Sequence, residues 1–236
     1  MKARPQQTLA RPATLEGVCV GIADRIDTMG RGRDREVNEV SICVIEGQPH
    51  LLPCFPDGVG EFAEQYLAGR GVTIMTGERI VSMDPGRVTL GSGRSLRYDL
   101  LIWTGGIRPS MLIRDLLLAK DRNGWLLVDE TLRCRDDGRI FGVGDAISLL
   151  GPDGTISCPR LAYHALDQAG LAAGNIAAAV AGGTMLKYRP RQRRQLISLG
   201  RNMGISATAT GFTTGAWVVD LKKAVERAHL LGYLGR

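Results

Sequence analysis

The sequence predicts an α/β fold, because apolar strand-like segments alternate with helical patterns along the chain. Two segments, Asp99–Trp103 and Arg139–Val143, read as apolar strands that end in small residues. The first continues into Thr104, Gly105 and Gly106, and the second into Gly144, Asp145 and Ala146. At 236 residues and 44% hydrophobic residues, the chain is long enough to bury a core.

The ends of these two strands are the first candidates for a ligand site. Open α/β sheets bind their ligands at the carboxyl ends of the strands, and Asp145 would place a carboxylate there. Gly105 and Gly106 are candidates because their missing side chains permit close backbone approach to a ligand. Trp103 is expected to pack against a neighbouring sheet, and stacking on a cofactor is the alternative.

The first half of the chain supplies further elements. The spacing of apolar residues predicts a helix over Thr14–Met29, and Val40–Glu46 reads as a buried strand with an acid at its end. A helix is expected near Gly58–Arg70, followed by a strand over Gly71–Gly77. Turns at Asp84-Pro85-Gly86 and Gly91-Ser92-Gly93 separate two short strands, Arg87–Leu90 and Ser95–Tyr98.

The second half adds a short strand, Gly124–Val128, and two helices. Cys158 and Pro159 are expected to open an alanine-rich helix that runs to Ala181, since proline suits the first helical turn. Near the C-terminus, apolar residues fall on one helical face, with basic residues beside them: Trp217, Leu221, Ala224, Val225 and Ala228, flanked by Lys222, Lys223 and Arg227. This pattern fits a helix in a membrane interface and fits equally a helix that faces the core.

Cysteine usage indicates a reduced, cytoplasmic protein. The five cysteines, Cys19, Cys43, Cys54, Cys134 and Cys158, have no C-x-x-C spacing, which disfavours a redox disulfide, a zinc site or a secreted disulfide framework. The basic N-terminus lacks the apolar stretch of a signal peptide. No run approaches the ~20 apolar residues that span a bilayer, so any membrane contact is expected to be peripheral, at the cytoplasmic face.

The net charge of +6 is concentrated in one basic cluster: Lys187, Arg189, Arg191, Arg193, Arg194 and Arg201. Such a cluster suits an anionic surface, and lipid headgroups are the candidate. A solvated basic loop with no dedicated partner is the alternative. With 5% aromatic residues, the chain lacks stacking platforms for bases, and no nucleic-acid partner is expected.

The segments D-L-L-I-W-T-G-G-I-R-P, from Asp99, and R-I-F-G-V-G-D-A, from Arg139, resemble the back half of two-dinucleotide flavoprotein reductases. The resemblance is to the type II NADH dehydrogenases in particular, and it extends over roughly residues 14–236. It implies an incomplete two-dinucleotide-binding-domain flavoprotein fold with a C-terminal α-containing module. The implied domains are residues 1–107, the latter part of an NAD-binding domain; 108–182, the latter part of an FAD-binding domain; and 183–236, a membrane-associating module.

The resemblance also implies roles for particular residues. Asp145, after Gly144, would accept a hydrogen bond from the ribityl chain of FAD. Ala162 and Tyr163 would lie at the helix end that faces the pyrimidine side of the flavin, where the helix dipole stabilises negative charge. Glu46 would bind the adenosine ribose hydroxyls of NAD and disfavour NADP.

Some positions differ from the family pattern. Tyr163 and Asp167 stand where relatives carry the glutamines that line the quinone pocket. His164 is either a proton donor near that pocket or an ordinary packing residue. Cys158 invites a comparison with sulfide:quinone reductases, whose chemistry needs a cysteine pair, and is otherwise a small loop residue.

The implied activity is hydride transfer from NADH to FAD and onward to a quinone or similar acceptor, with FAD and NAD as cofactors. We expect no catalytic side chain, because the flavin performs the chemistry in this family. No G-x-G-x-x-G turn occurs in the chain. The sequence therefore predicts either a reductase that is incomplete in this chain, or a catalytically inactive remnant or binding subunit that needs a partner chain for the missing FAD-binding half.

Overall fold

The computed structural model describes residues 41–56, 58–156 and 158–234. The predicted helix over Thr14–Met29 lies outside these residues. The described residues form two compact units, one of residues 105–191 and one that combines residues 41–104 with 192–234. The predicted division into domains 1–107, 108–182 and 183–236 stays a prediction.

A β-α-β motif begins the described chain. Strand β1 (Ile42–Ile45) pairs in parallel with β2 (Val72–Met75), and helix α1 (Val59–Ala68) connects them. The helix buries Val59, Ala63 and Leu67, which recur every four residues on one face. The predictions of a strand, a helix and a strand in this region are confirmed.

An antiparallel sheet follows, with β4 (Arg87–Leu90) between β3 (Ile80–Asp84) and β5 (Ser95–Arg97). Val88 and Leu90 of β4 are buried. The predicted strands β4 and β5 are confirmed, and β3 was not predicted.

The 105–191 unit contains a short helix, a small sheet and one long helix. After α2 (Met111–Asp115), strand β6 (Leu126–Val128) pairs in parallel with β7 (Ile147–Gly151), which pairs antiparallel with β8 (Gly154–Ile156). Helix α3 (Ala162–Ala181) follows. It begins three residues after Pro159, so the expected position of this proline in the first turn is wrong: the preceding Leu161 is still extended.

The chain ends in an antiparallel sheet and a helix. Strands β9 (Gln195–Ser198), β10 (Gly204–Ala207) and β11 (Phe212–Gly215) lie in the order β11-β10-β9, and helix α4 (Ala216–Leu234) packs against this sheet through Val218 and Val219. Ile197 and Ile205 join Val44 and Leu67 in one hydrophobic core of the 41–104 and 192–234 unit. Within the described part of the chain, no helix is both long and apolar enough to cross a membrane.

The segment Asp99–Trp103, predicted as a strand, forms none. Apolar character alone does not make a strand, because the backbone N–H and C=O groups also need a neighbouring strand. Leu100 is 73% exposed and Trp103 is 50% exposed, which weakens the expected packing of Trp103 against a sheet.

The strand predicted over Arg139–Val143 is likewise reduced to an isolated bridge between Phe141 and Arg133. A turn, in which the Ile140 N–H donates to the Asp137 carbonyl at 3.1 Å, leaves only a short extended stretch. Gly144–Ala146 then forms a single 3₁₀ turn, and β7 follows it. Asp145 therefore lies at the beginning of a strand and not at the carboxyl end of one.

Candidate functional site

The main candidate site is a cavity of about 320 Å³ in the 105–191 unit. The 3₁₀ turn at Gly144 and Asp145 lines it, together with the residues that lead into α3 and the first turns of that helix. The other lining residues come from the sheet of this unit and the loop before it. The cavity is lined by Asp121, Asn123, Trp125, Gly144, Asp145, Ile147, Ser148, Leu149, Thr155, Ile156, Cys158, Pro159, Arg160, Leu161, His164, Ala165 and Gln168.

Gly144 allows the turn to lie directly against α3. Its φ is +67°, in the left-handed region that favours glycine, and a Cβ atom here would be 3.2 Å from the Ala165 Cβ. The Gly144 N–H donates to the Gln168 Oε1 at 2.6 Å. The turn that carries Asp145 is thus fixed to the helix by packing and by a hydrogen bond.

The N-terminus of α3 adds a positive electrostatic end to the cavity. Leu161, the residue before the helix, provides no side-chain cap. The first N–H groups of a helix have no acceptor within the helix, and together with the helix dipole they favour acceptor groups. The predicted Ala162 and Tyr163 are the first residues of α3, and their neighbours Leu161, His164 and Ala165 line the cavity.

His164 is a buried packing residue in this structure. Its side chain is 3% exposed, and its Nδ1 lies 2.7 Å from the Tyr188 hydroxyl oxygen. The Tyr163 ring lies against it, with 4.2 Å between the ring centroids. These contacts favour the packing interpretation of His164 over that of a proton donor.

Cys158 is a half-buried thiol in the cavity wall. The Gln168 Nε2 donates to its Sγ at 3.5 Å. Burial raises the pKa of the Cys158 thiol, and this outweighs the opposing effects of Arg160 and of the Gln168 hydrogen bond. The thiol is therefore protonated at neutral pH, which disfavours its use as a nucleophile.

Arg160 and Trp125 form a cation–π contact that the sequence did not predict. The guanidinium carbon lies 3.8 Å from the centre of the Trp125 ring, and Nη2 donates to the Ile147 carbonyl at 3.2 Å. Burial lowers the pKa of Arg160, against the opposing charges of Asp121 and Asp145, but an arginine remains charged at any physiological pH. The cavity thus contains a fixed positive charge near Asp145.

The other predicted site residues lie apart from this cavity lining. Gly105 and Gly106 belong to an irregular segment and are not among the lining residues. Glu46 belongs to the other compact unit, where it follows β1. Its Oε1 accepts a hydrogen bond from the Gln48 N–H at 2.8 Å, so one carboxylate oxygen stabilises the local turn.

The basic cluster is partly neutralised within the protein. Glu130, 6% exposed, has Lys187 Nζ at 2.8 Å from Oε2, and Arg189 pairs with its other oxygen. Arg194 donates to the Ser206 hydroxyl at 3.0 Å. Lys187, Arg189 and Arg194 thus have partners within the protein, which weakens the case for a cluster dedicated to an anionic surface.

The predicted apolar face of the C-terminal helix is exposed. Trp217 is 48% exposed, Leu221 40% and Val225 55%, whereas the core contacts of α4 come from the neighbouring Val218 and Val219. The interpretation of this face as core-facing is therefore wrong.

Comparison with known proteins identifies the family. The family model for pyridine nucleotide-disulphide oxidoreductases matches residues 27–169, which is more than half of the chain. The chain therefore belongs to the pyridine nucleotide-disulphide oxidoreductase family. The predicted membership in this superfamily and the predicted α/β flavoprotein fold class are both confirmed.

Related sequences are similar to this chain over only part of their own length. A type II NADH:quinone oxidoreductase of Staphylococcus epidermidis is 25% identical over 208 residues, which cover 87% of this chain and 52% of the relative. An NADH dehydrogenase-like protein of Mycobacterium tuberculosis is 40% identical over 82 residues, 35% of this chain and 20% of that protein. The chain spans about half the length of the first of these relatives.

Solved structures share the fold. NDH2 from Plasmodium falciparum, in complex with NADH, superimposes with a TM-score of 0.76 at 16% identity, over 89% of this chain and 59% of that chain. The sulfide:quinone oxidoreductase from Aquifex aeolicus gives a TM-score of 0.73 at 15% identity, over 94% and 56% of the two chains. At these identities, the similarity establishes the fold alone.

Proposed function

We propose that this chain is the latter part of an FAD-dependent NADH oxidoreductase, which transfers a hydride from NADH to FAD and passes electrons to a quinone or similar acceptor. The observation that carries the proposal is the cavity in which the Asp145 turn and the N-terminus of α3 lie together. The similarity to type II NADH:quinone oxidoreductases gives the class of reaction.

The residues of the cavity fit one part of a flavin cofactor. Asp145 offers a carboxylate to a hydroxyl group, as the ribityl chain requires, and the uncapped start of α3 suits a ring that carries negative charge when reduced. When bound, FAD supplies the acceptor for the hydride. The chain would hold and orient the cofactor through Asp145 and α3, with Gly144 allowing the close packing of the two.

Glu46 would serve the nicotinamide cofactor. With Oε1 bonded to the Gln48 N–H, its Oε2 would accept a ribose hydroxyl of NADH, and its charge would disfavour the 2′-phosphate of NADP. Gly105 and Gly106 would permit close backbone approach to a cofactor. Tyr163 and Asp167 stand where relatives carry the glutamines of the quinone pocket, so the residues of this chain do not define the electron acceptor. The proposal of a quinone rests on the relatives.

A second candidate is an inactive remnant or binding subunit. The favouring observation is that no G-x-G-x-x-G turn occurs in this sequence. Glycine turns hold the pyrophosphate at a helix N-terminus. Because this sequence lacks these turns, we expect the chain to hold FAD too weakly to retain it through purification and to be colourless, while added FAD still binds with a measurable dissociation constant.

Changing Asp145 to alanine tests the flavin site. A hydrogen bond from a ribityl hydroxyl to a carboxylate contributes about 1.5–3 kcal/mol, so Asp145→Ala should weaken FAD binding about tenfold or more. The dissociation constant is measured by titration of the full chain with FAD, followed by flavin fluorescence.

The matched control is Asp153→Ala, which removes an exposed carboxylate from the β7–β8 turn of the same unit. This variant should bind FAD as the wild type does. Equal FAD affinity of the Asp145→Ala variant and the wild type would remove Asp145 from the site.

We also propose that α4 associates peripherally with the cytoplasmic face of an anionic membrane. Its exposed Trp217, Leu221 and Val225 would enter the interface. Lys222 lies 3.3 Å from Glu226, and Lys223 lies 4.0 Å from Asp220, so acidic neighbours offset part of the helix charge. The apolar residues would therefore carry most of the attraction.

Vesicle binding should depend on this apolar face. The double change Trp217→Ala with Leu221→Ser should reduce binding to vesicles that contain phosphatidylserine about tenfold or more, because the variant transfers less apolar surface from water into the membrane interface. Co-sedimentation at low and high salt measures the effect, and the remaining charge makes binding weaker at high salt. The control is Met111→Ala with Leu112→Ser, an exposed apolar pair on α2. Equal losses for both double variants would contradict a specific role of α4.

A further inference from the structure

One face of α3 is buried and polar. His164, Gln168 and Asn175 are each 3% exposed or less, and each is hydrogen-bonded to a segment outside the helix. Apolar side chains ordinarily occupy such buried positions of a helix, because a buried polar group needs a hydrogen-bond partner. The polar groups therefore fix particular neighbours, and Gln168 is the one that is bonded to the turn carrying Asp145.

Gln168 connects two parts of the cavity lining with one amide group. Its Oε1 accepts the Gly144 N–H at 2.6 Å, and its Nε2 donates to the Cys158 Sγ at 3.5 Å. The side chain is 2% exposed, so water does not compete for either bond. The amide thus uses its acceptor on the turn that carries Asp145 and its donor on the segment before α3.

We propose that Gln168 is a positioning residue, which sets the conformation of the Gly144–Asp145 turn and thereby the direction of the Asp145 carboxylate. The proposal rests on the proposed function through the role of Asp145 in flavin binding. Gln168 itself would not contact the cofactor. It acts on the backbone of the turn, one residue before the carboxylate.

The geometry of Gly144 makes this hydrogen bond decisive for the turn. The left-handed φ of +67° favours glycine here, and a Cβ atom at this position would be 3.2 Å from the Ala165 Cβ, so the backbone of the turn lies directly against α3, where its N–H donates to Gln168. An apolar side chain at position 168 would fill the same space and leave the Gly144 N–H without an acceptor. Without this hydrogen bond, the turn would adopt other conformations.

Two variants distinguish the roles of the two hydrogen bonds that the Gln168 amide makes. Gln168→Met has a similar length and removes both bonds, whereas Gln168→Glu keeps an acceptor for the Gly144 N–H and loses the donor to Cys158. The control is Gln65→Met, the same change at an exposed position on α1. All are made in the full chain.

The first measurement is hydrogen exchange of the Gly144 amide by NMR, which needs no flavin. In Gln168→Met, this exchange should become about tenfold faster or more, while the amides of Leu126–Val128 in β6 change less than about threefold. Gln168→Glu should keep the slow exchange. The pKa of Cys158 should rise in both variants, because each loses the donor that lowers it.

Unchanged Gly144 exchange in Gln168→Met would overturn the proposal, and so would an equal acceleration of all amides in the unit, which indicates general destabilisation. If Gln168→Met does not fold, Gln168→Glu and Gln168→Asn decide the matter: glutamate should protect Gly144, and the shorter asparagine should not. Equal protection in both would overturn the proposal.

FAD titration then connects the turn to the site. Gln168→Met should weaken FAD binding, and its combination with Asp145→Ala should be no weaker than Asp145→Ala alone, because both act through one carboxylate. Additive losses would overturn the positioning role. If the wild-type chain shows no Asp145-dependent FAD binding while Gly144 exchange responds as expected, the proposed function fails and the effect of Gln168 on the turn stands.

Discussion

Replacing Asn175 with alanine is expected to lower the free energy of unfolding by roughly 3 kcal/mol. Asn175 is 2% exposed, and its Nδ2 donates to the carbonyls of Thr131 and Leu186 at 2.9 and 2.8 Å. Its Oδ1 accepts the Leu186 N–H at 2.8 Å. Alanine leaves three backbone groups without their partner, and each such buried group costs about 1–3 kcal/mol, partly recovered through water.

Urea unfolding of the full chain, followed by circular dichroism, measures this effect. The matched control is Asn202→Ala in the β9–β10 turn, where the side chain is exposed and a change within about 0.5 kcal/mol is expected. A loss below about 1 kcal/mol for Asn175→Ala would show that the segment around Leu186 is not held by this amide.

Gly60→Ala is expected to destabilise the protein by about 2 kcal/mol, although alanine is ordinarily the better helix residue by about 1 kcal/mol. Gly60 lies in α1, and a Cβ atom there would be 2.3 Å from the Leu51 carbonyl oxygen. Backbone would have to move to relieve this contact. Chemical denaturation measures the loss.

Gly170→Ala is the matched control for Gly60→Ala. Gly170 lies in α3, and a Cβ atom there would meet nothing within 4 Å. This variant should be more stable than the wild type by up to about 1 kcal/mol. Equal effects of the two changes would contradict the close packing of α1 against Leu51.

The sequence predicted those elements whose signal is local. Helix α1 repeats buried residues at Val59, Ala63 and Leu67, and β1 and β2 are short apolar runs between turn residues. The predictions failed where a segment needs a distant partner. Asp99–Trp103 is apolar enough for a strand, yet strand formation depends on pairing, which composition does not reveal.

The candidate site was predicted in part. The Gly144–Asp145 motif and the start of α3 were predicted separately, and both contribute to one cavity lining. The contacts of Arg160 with Trp125 join residues 35 positions apart in the sequence and gave no local signal. Gln168 was missed although a signal exists, since His164, Gln168 and Asn175 follow one helical face at spacings of 4 and 7.

The ion-pair partners of the basic cluster also could not be predicted from local sequence patterns. Lys187 and Arg189 read as a charged loop because their shared partner, Glu130, precedes them by more than 50 residues. A buried carboxylate with two basic partners is a structural arrangement that a count of charges cannot distinguish from a binding surface.

The proposed function requires that the Gly144–Asp145 turn and the start of α3 form a site for the ribityl chain of a flavin. The decisive measurement is a map of amide chemical shifts in the full wild-type chain, titrated with FAD and, separately, with lumichrome, which has the flavin ring without the ribityl chain. We predict that FAD shifts the amides of Gly144, Asp145 and the first turn of α3, and that lumichrome leaves Asp145 unchanged. Equal shifts of the Asp145 amide with both ligands, or FAD shifts confined to other parts of the chain, would contradict a ribityl site at this turn.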